Sequence, residues 1–236
     1  MKIFSKRLSI GLAKVILVIL LIATSILAYL FFTGELSSKW TVLYGGLVTG
    51  LIVAIVQLLL DWYEHKEIEK FKLLGISRII PHRDDEAYYR GLIKGATKKI
   101  DVLGVTANRF MADFADSSRG RAEKKVLIDA LARSVAVRIL VPQKSFLDHK
   151  DHDAFEQALG FFKTVRKTFG NFEYAYFSHI PAHSIVLVDD DCLLGPVFPL
   201  ISSKDTPCIQ MNTQSPFANS YLKYFEEEWN KADKQN

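Results

Sequence analysis

Hydrophobic and polar positions divide the chain into two parts that follow different rules. Residues 15–32 and 42–60 are two apolar runs without Asp, Glu, Lys or Arg, separated only by residues 33–41. Each is close to the roughly 20 residues a helix needs to cross a hydrocarbon core, which predicts a transmembrane hairpin. Beyond the second run, Ile68, Phe71 and Leu74 recur at helical spacing between charges. The second span is therefore predicted to continue as a helix and to stop at Gly75. From Arg83 the pattern changes to alternating helix and strand. Helices are predicted from the Asp84 or Asp85 cap to Ala96 and over residues 108–114, 123–132, 153–169 and 215–232, with strands over residues 99–106, 135–141, 172–177, 184–189 and 208–211. Apolar strands alternating with amphipathic helices predict an α/β/α sandwich whose mixed sheet is covered on both faces. The resulting organisation is a two-helix hairpin at 1–60, a connecting helix at 61–75 and a domain at 76–236.

Charge orients the hairpin. Lys2, Lys6, Arg7 and Lys14 precede the first span, whereas the connecting loop offers Lys39 offset by Glu35. The positive-inside rule puts both termini in the cytoplasm and only the short loop around Trp40 outside. A cleaved signal peptide is a poor alternative, because the first run is long for an h-region and a second span follows at once. Trp62 and Tyr63 suit the membrane interface. Removing the hairpin leaves roughly 165 residues, one ordinary domain. The formal net charge of +4 is largely matched by the arm before the first span, so a nucleic-acid polymer is not an expected partner. Cys192 and Cys208 are the only cysteines, far apart and without zinc-ligand spacing. In the second span, Gly46 and Gly50 form a Gly-x-x-x-Gly pair beside Gly45 and Thr49, a stripe that serves either association between chains or packing of the hairpin on itself.

Ligands in such sheets sit at the carboxyl ends of strands, which selects Thr106, Asn108 and Arg109 after the first domain strand. His183 and Ser184 open another strand. Asp189, Asp190 and Asp191 read as a polar turn. His149 and His152, flanked by charges, read as a solvated helix start, so no metal or cofactor is expected.

The stretch HSIVLVDDDCLLGP, His183 to Pro196, resembles the phospholipase D superfamily signature, in which a His is followed two residues later by Lys and seven residues later by Asp. His183 and Asp190 match that spacing, Ile185 takes the position of the Lys, and Gly195-Pro196 stands where the family has Gly-Ser. The resemblance implies a phosphodiester-recognising fold, with His183 and Asp190 as its catalytic residues if the chain is active. A His attacking phosphorus needs a cation nearby to stabilise the charge on the phosphoryl oxygens, and Ile185 supplies none. The expectation is a site formed by Thr106, Asn108, Arg109, His183 and Ser184 that binds without cutting. Two spans on such a domain also resemble, in architecture, the two-transmembrane effectors of bacterial anti-phage systems of the Panoptes or CBASS type. That resemblance implies a membrane-disrupting effector of the bacterial inner membrane, a cyclic nucleotide ligand, homo-oligomers through the spans and a cytosolic dimer. A membrane-anchored dimeric phosphodiesterase is the alternative, and a scaffold without ligand the third reading.

Overall fold

A computed structural model describes residues 2–33, 38–116, 122–198 and 200–234; of the side chains at 2–13, 38, 39 and 64–67 nothing is described. Glu35 and the side chains of Lys2, Lys6, Arg7 and Lys39, on which the orientation argument rests, lie outside what the structure describes. The chain divides into two compact units, Met1–Lys70 and Phe71–Asn236.

The first unit is helical. α1 spans Lys2–Thr33, and α2, which spans Ser38–Leu73, continues past the unit's end. Trp40 therefore belongs to the first turn of α2 rather than to a loop. Two segments, Lys14–Thr33 and Trp40–Leu73, are long and apolar enough to cross a membrane, and none of their residues is buried inside the protein. Hydroxyls in them are satisfied within the helix: Thr24, Ser25, Thr33 and Thr49 each donate to the carbonyl four residues earlier. That is how a polar side chain survives where no water is at hand. The two small-residue stripes point in different directions. A Cβ on Gly45 would touch the Phe31 ring of α1 at 3.6 Å, whereas Gly46 and Gly50 have nothing within 4 Å. They floor a hollow of about 500 Å³ walled by Val42, Leu43, Leu47 and Leu51.

The second unit is a three-layer α/β/α sandwich. Its eight strands are β1 (Ile76–Ile80), β2 (Lys99–Leu103), β3 (Ala136–Pro142), β4 (Phe172–Phe177), β5 (His183–Val188), β6 (Asp191–Pro196), β7 (Cys208–Asn212) and β8 (Asp233–Lys234), in the order β1-β7-β6-β5-β2-β3-β4-β8. β2, β3 and β4 run parallel and every other pair antiparallel. Against one face pack α3 (Glu86–Gly95), α4 (Asn108–Phe114), α5 (Val126–Ala132) and α6 (His152–Thr168), over Ile100, Val102, Ile139, Val186 and Leu193. α7 (Pro216–Lys231) covers the other face, over Leu103, Leu140, Ile185, Leu187 and Leu194. β1, β6 and β8 are strands that periodicity did not reveal: β1 and β8 are edge strands with mostly exposed residues, and β6 follows β5 through a two-residue turn that reads as one polar stretch.

Three local devices set the geometry. Asp85 caps α3 by accepting from the Tyr88 amide, and Ser215 caps α7 by accepting from the Ala218 amide. Gly75, at φ +75°, turns the chain out of α2; a Cβ there would stand 2.1 Å from the Ser215 Cβ, so only glycine fits. Between α7 and the sheet, Arg138 on β3 bridges the fully buried Asp101 opposite it on β2 to Glu226, with its guanidinium 5.0 Å from the Phe225 ring and 5.1 Å from that of Trp229.

Candidate functional site

β4 and β5 end and begin on the same edge of the sheet with β3 and β2 between them, so residues 178–182 cross the carboxyl ends of those two strands. The ends of β1 and β6 and the start of β7 complete this edge. Each strand's alternation then assigns side chains to one face or the other.

On the α7 face stands His183, half-buried and paired with Pro196 of β6. Its ring meets Tyr221 at 5.6 Å and Tyr224 at 6.4 Å, both edge-on. Burial, with the Glu228 carboxylate beside it, pushes the Tyr224 phenol above its ordinary range. His179, in the crossing segment, is held to Glu228 by an Nε2 contact of 2.9 Å. Among the described residues neither imidazole has a Lys or Arg partner. Two positions along the strand from His183, Ile185 is 0% exposed, inside the apolar layer under α7.

Asp190 lies in the turn after β5, at the far end of the strand from His183. Seven residues at about 3.3 Å each put roughly 20 Å between them, so the structure does not bring this pair into one site. Its neighbour Asp189, at φ +49°, accepts four hydrogen bonds of 2.8–2.9 Å, from the Thr97 amide and hydroxyl and the Lys98 and Lys99 amides. Partial burial opposes its charge, but the amides of Lys99, Thr97 and Lys98 outweigh it and hold the carboxyl below the usual range. Asp191 accepts from Gln210 at 2.8 Å. The acidic run is a clasp joining the β5–β6 turn to the start of β2.

The opposite face of the same edge carries Ser184, Thr106, Asn108 and Arg109. Thr106 Oγ1 accepts from the Asn108 amide and starts α4, with Ala107 at φ +54° between them. Asn108 Nδ2 donates to Gln157 of α6 at 3.0 Å, while its buried Oδ1 has no partner among the described residues. Arg109 donates to the Arg83 carbonyl. Arg83 itself, 5% exposed, was not legible as a site residue, because its partners lie more than a hundred positions away. Its Nε donates to the Ser203 carbonyl and to Thr206 Oγ1, both at 3.0 Å, and its Nη2 to the Pro196 carbonyl at 2.8 Å and to Thr206 Oγ1. The guanidinium stands against Gly195, where a Cβ would meet Cζ and Nη1 at 2.8 Å. Burial lowers the Arg83 pKa, and nearby Arg109 lowers it further against the opposing pull of Tyr89 and Cys208.

The structure thus brings Ser184, Arg109, Thr106 and Asn108 to one face and His183 to the other. His149 and His152 lie elsewhere, at the start of α6, with rings 5.0 Å apart. A hollow of about 210 Å³ opens between Gln143, Lys144, Phe155 and Tyr176 at the ends of β3 and β4.

Among solved structures, the chain is similar to a phospholipase D family member, Nuc from Salmonella typhimurium, at 14% identity over 67% of this chain and 97% of that one, with a TM-score of 0.46. It is similar to NucT from Helicobacter pylori at 11% identity over 64% and 91%, TM-score 0.42. Similarity extends to TrmBL2, an archaeal chromatin protein with a novel mode of DNA binding, at 13% identity over 81% and 70%, TM-score 0.44. No protein-family model and no curated protein matches the chain.

Proposed function

We propose that the chain is a membrane-disrupting effector of bacterial anti-phage defence, controlled by a cyclic oligonucleotide that its phospholipase D-like domain binds without cleaving. One observation supports binding without cleavage: Ile185, where the family's catalytic Lys would stand, is fully buried core beneath α7. The strand that presents His183 therefore offers no cation beside it. Losing one such charge-stabilising donor costs about 3 kcal/mol of transition-state stabilisation, a hundredfold or more in rate. Binding carries no such requirement. In this reading the two apolar helices span the inner membrane with both termini cytoplasmic. Gly46 and Gly50 mediate association between chains, and ligand occupancy biases that association by its differential affinity for the two states.

A second reading, a membrane-anchored phosphodiesterase, draws support from His179 and Glu228, a carboxylate-held imidazole on the same face as His183. Reconstituting the full chain in dye-loaded vesicles and adding cyclic di- and trinucleotides separates the two. The effector reading expects leakage that changes with nucleotide, depends on Gly46 and Gly50, and leaves the nucleotide intact. Nucleotide cleavage lost in His183→Ala would establish the phosphodiesterase; leakage indifferent to every nucleotide tried would overturn the effector.

A further inference from the structure

Arg83 poses a problem that the fold alone does not solve. A buried guanidinium is normally compensated by a carboxylate, because an unpaired charge in a low-dielectric interior is costly. Arg83 is 5% exposed, yet its acceptors are neutral oxygens of Pro196, Ser203 and Thr206, and among the described residues it has no carboxylate partner. Of the acids that follow it in sequence, Asp85 caps α3 with its side chain. A second cation, Arg109, is bonded to the Arg83 carbonyl and disfavours the Arg83 charge.

The arrangement leaves donors free on one side. Arg83 Nη1 donates to no described residue, and Arg109 uses only Nη2. Ser184 is the register partner of Gly195, the residue on which the Arg83 guanidinium lies. Directly opposed residues in an antiparallel pair hold their Cβ positions about 4.5–5.5 Å apart, so the Ser184 hydroxyl stands beside that guanidinium. The absence of a side chain at 195 is what lets the fork approach the strand.

We infer that Arg83, Arg109 and Ser184 form an anion seat that takes a phosphate group, on the face of β5 opposite His183. Arg83 Nη1, the Arg109 guanidinium and the Ser184 hydroxyl can each donate to an oxygen of a phosphate ester, and the anion supplies the compensating charge that the fold omits. The inference deepens the proposed function by naming the subsite that would hold the ligand's phosphate. It also predicts that His183 is dispensable for phosphate itself.

The experiment is thermal unfolding and calorimetric titration of the detergent-solubilised full chain with inorganic phosphate, against sodium chloride at matched ionic strength. Phosphate should raise the unfolding temperature beyond the chloride control. Arg109→Gln, at an exposed position, should weaken phosphate binding at least about fivefold, Ser184→Ala should weaken it less, and His183→Ala should leave it unchanged. Arg83→Lys, which keeps the charge but loses Nη1 and the bonds that position the guanidinium, should weaken it further than Ser184→Ala. Repeating the titration with a cyclic dinucleotide and with a soluble short-chain phosphatidylglycerol assigns the source of the phosphate, the tighter binder being the ligand class. Absence of a phosphate-specific effect, or an effect that survives Arg109→Gln and disappears in His183→Ala, overturns the seat. If phosphate does not bind while a cyclic nucleotide still changes vesicle leakage, the seat is wrong and the effector reading stands. If phosphate binding is lost in Arg109→Gln while no nucleotide alters leakage, the seat stands and the effector reading falls.

Discussion

Replacing Arg138 by Met tests what fastens α7 to the sheet. Asp101 is 0% exposed and takes two hydrogen bonds from Arg138, at 2.6 Å and 2.9 Å, while Lys99 approaches at 3.1 Å from a side chain that is 41% exposed. Burial opposes the charge on Arg138, and its bonds to Asp101 and Glu226 outweigh that and raise its pKa; the same guanidinium holds Glu226 below the usual carboxylate range. The Glu226 contact is half-exposed and contributes under about 1 kcal/mol. Truncation to Met leaves the Asp101 carboxylate buried with only a half-solvated Lys, a loss of about 3–5 kcal/mol. The contacts to the Phe225 and Trp229 rings contribute about 1 kcal/mol more, part of which the Met side chain restores. At about 2–4 °C per kcal/mol for a domain of this size, the unfolding temperature should fall by roughly 10 °C. The assay is thermal unfolding of the full chain in detergent, followed by near-ultraviolet circular dichroism. Adding Asp101→Asn to Arg138→Met removes the orphaned charge and should recover more than half of the loss. A single variant that loses less than about 1 kcal/mol, or a double variant as unstable as the single one, would refute the reasoning, because the loss would then be packing rather than an uncompensated ion.

Asp189→Asn should destabilise the domain by about 1–3 kcal/mol near neutral pH, since an amide cannot accept all four hydrogen bonds. The folded pKa of Asp189 is depressed, so its contribution is present above the ordinary carboxylate range and is lost as pH falls through the folded value; wild type and variant should converge in an acid unfolding series, and a constant gap would contradict the clasp. Ile185→Lys should lower stability by several kcal/mol and leave hydrolysis of bis(p-nitrophenyl) phosphate at background, because position 185 is core; a stable, active variant would show that the position faces the site. Cys192, pushed up to about 12 by burial and by Asp191, and Cys208, raised by burial, should resist a thiol-specific reagent at pH 8 until the domain unfolds, and prompt labelling of the native chain would contradict their burial.

Much of the fold was legible because its signals are local. The two long apolar runs, the caps at Asp85 and Ser215 and the 3.6-residue stripe of α6 are each written within one element. β1 and β8 escaped because edge strands with exposed residues carry no burial pattern. The site was legible in part. Strand ends pointed to Thr106, Asn108 and Arg109, but strand alternation puts His183 and Ser184 on opposite faces, and spacing alone paired His183 with an Asp190 at the far end of β5. Arg83 had no local signature, because it is positioned by carbonyls of loops that follow β6. Asp101 and Arg138 did leave a trace: one acid and one base, each interrupting an otherwise apolar strand, is the pattern of a cross-strand ion pair.

The collision that forbids a side chain at residue 75 also makes a mechanical joint. Because the first residue of α7's cap stands directly against the turn that ends α2, and the Asn212 amide is tied to the Gly75 carbonyl, those parts cannot slip past one another. The turn that ends α2 is thereby joined to the start of the helix that carries Tyr221 and Tyr224, the two rings that meet His183.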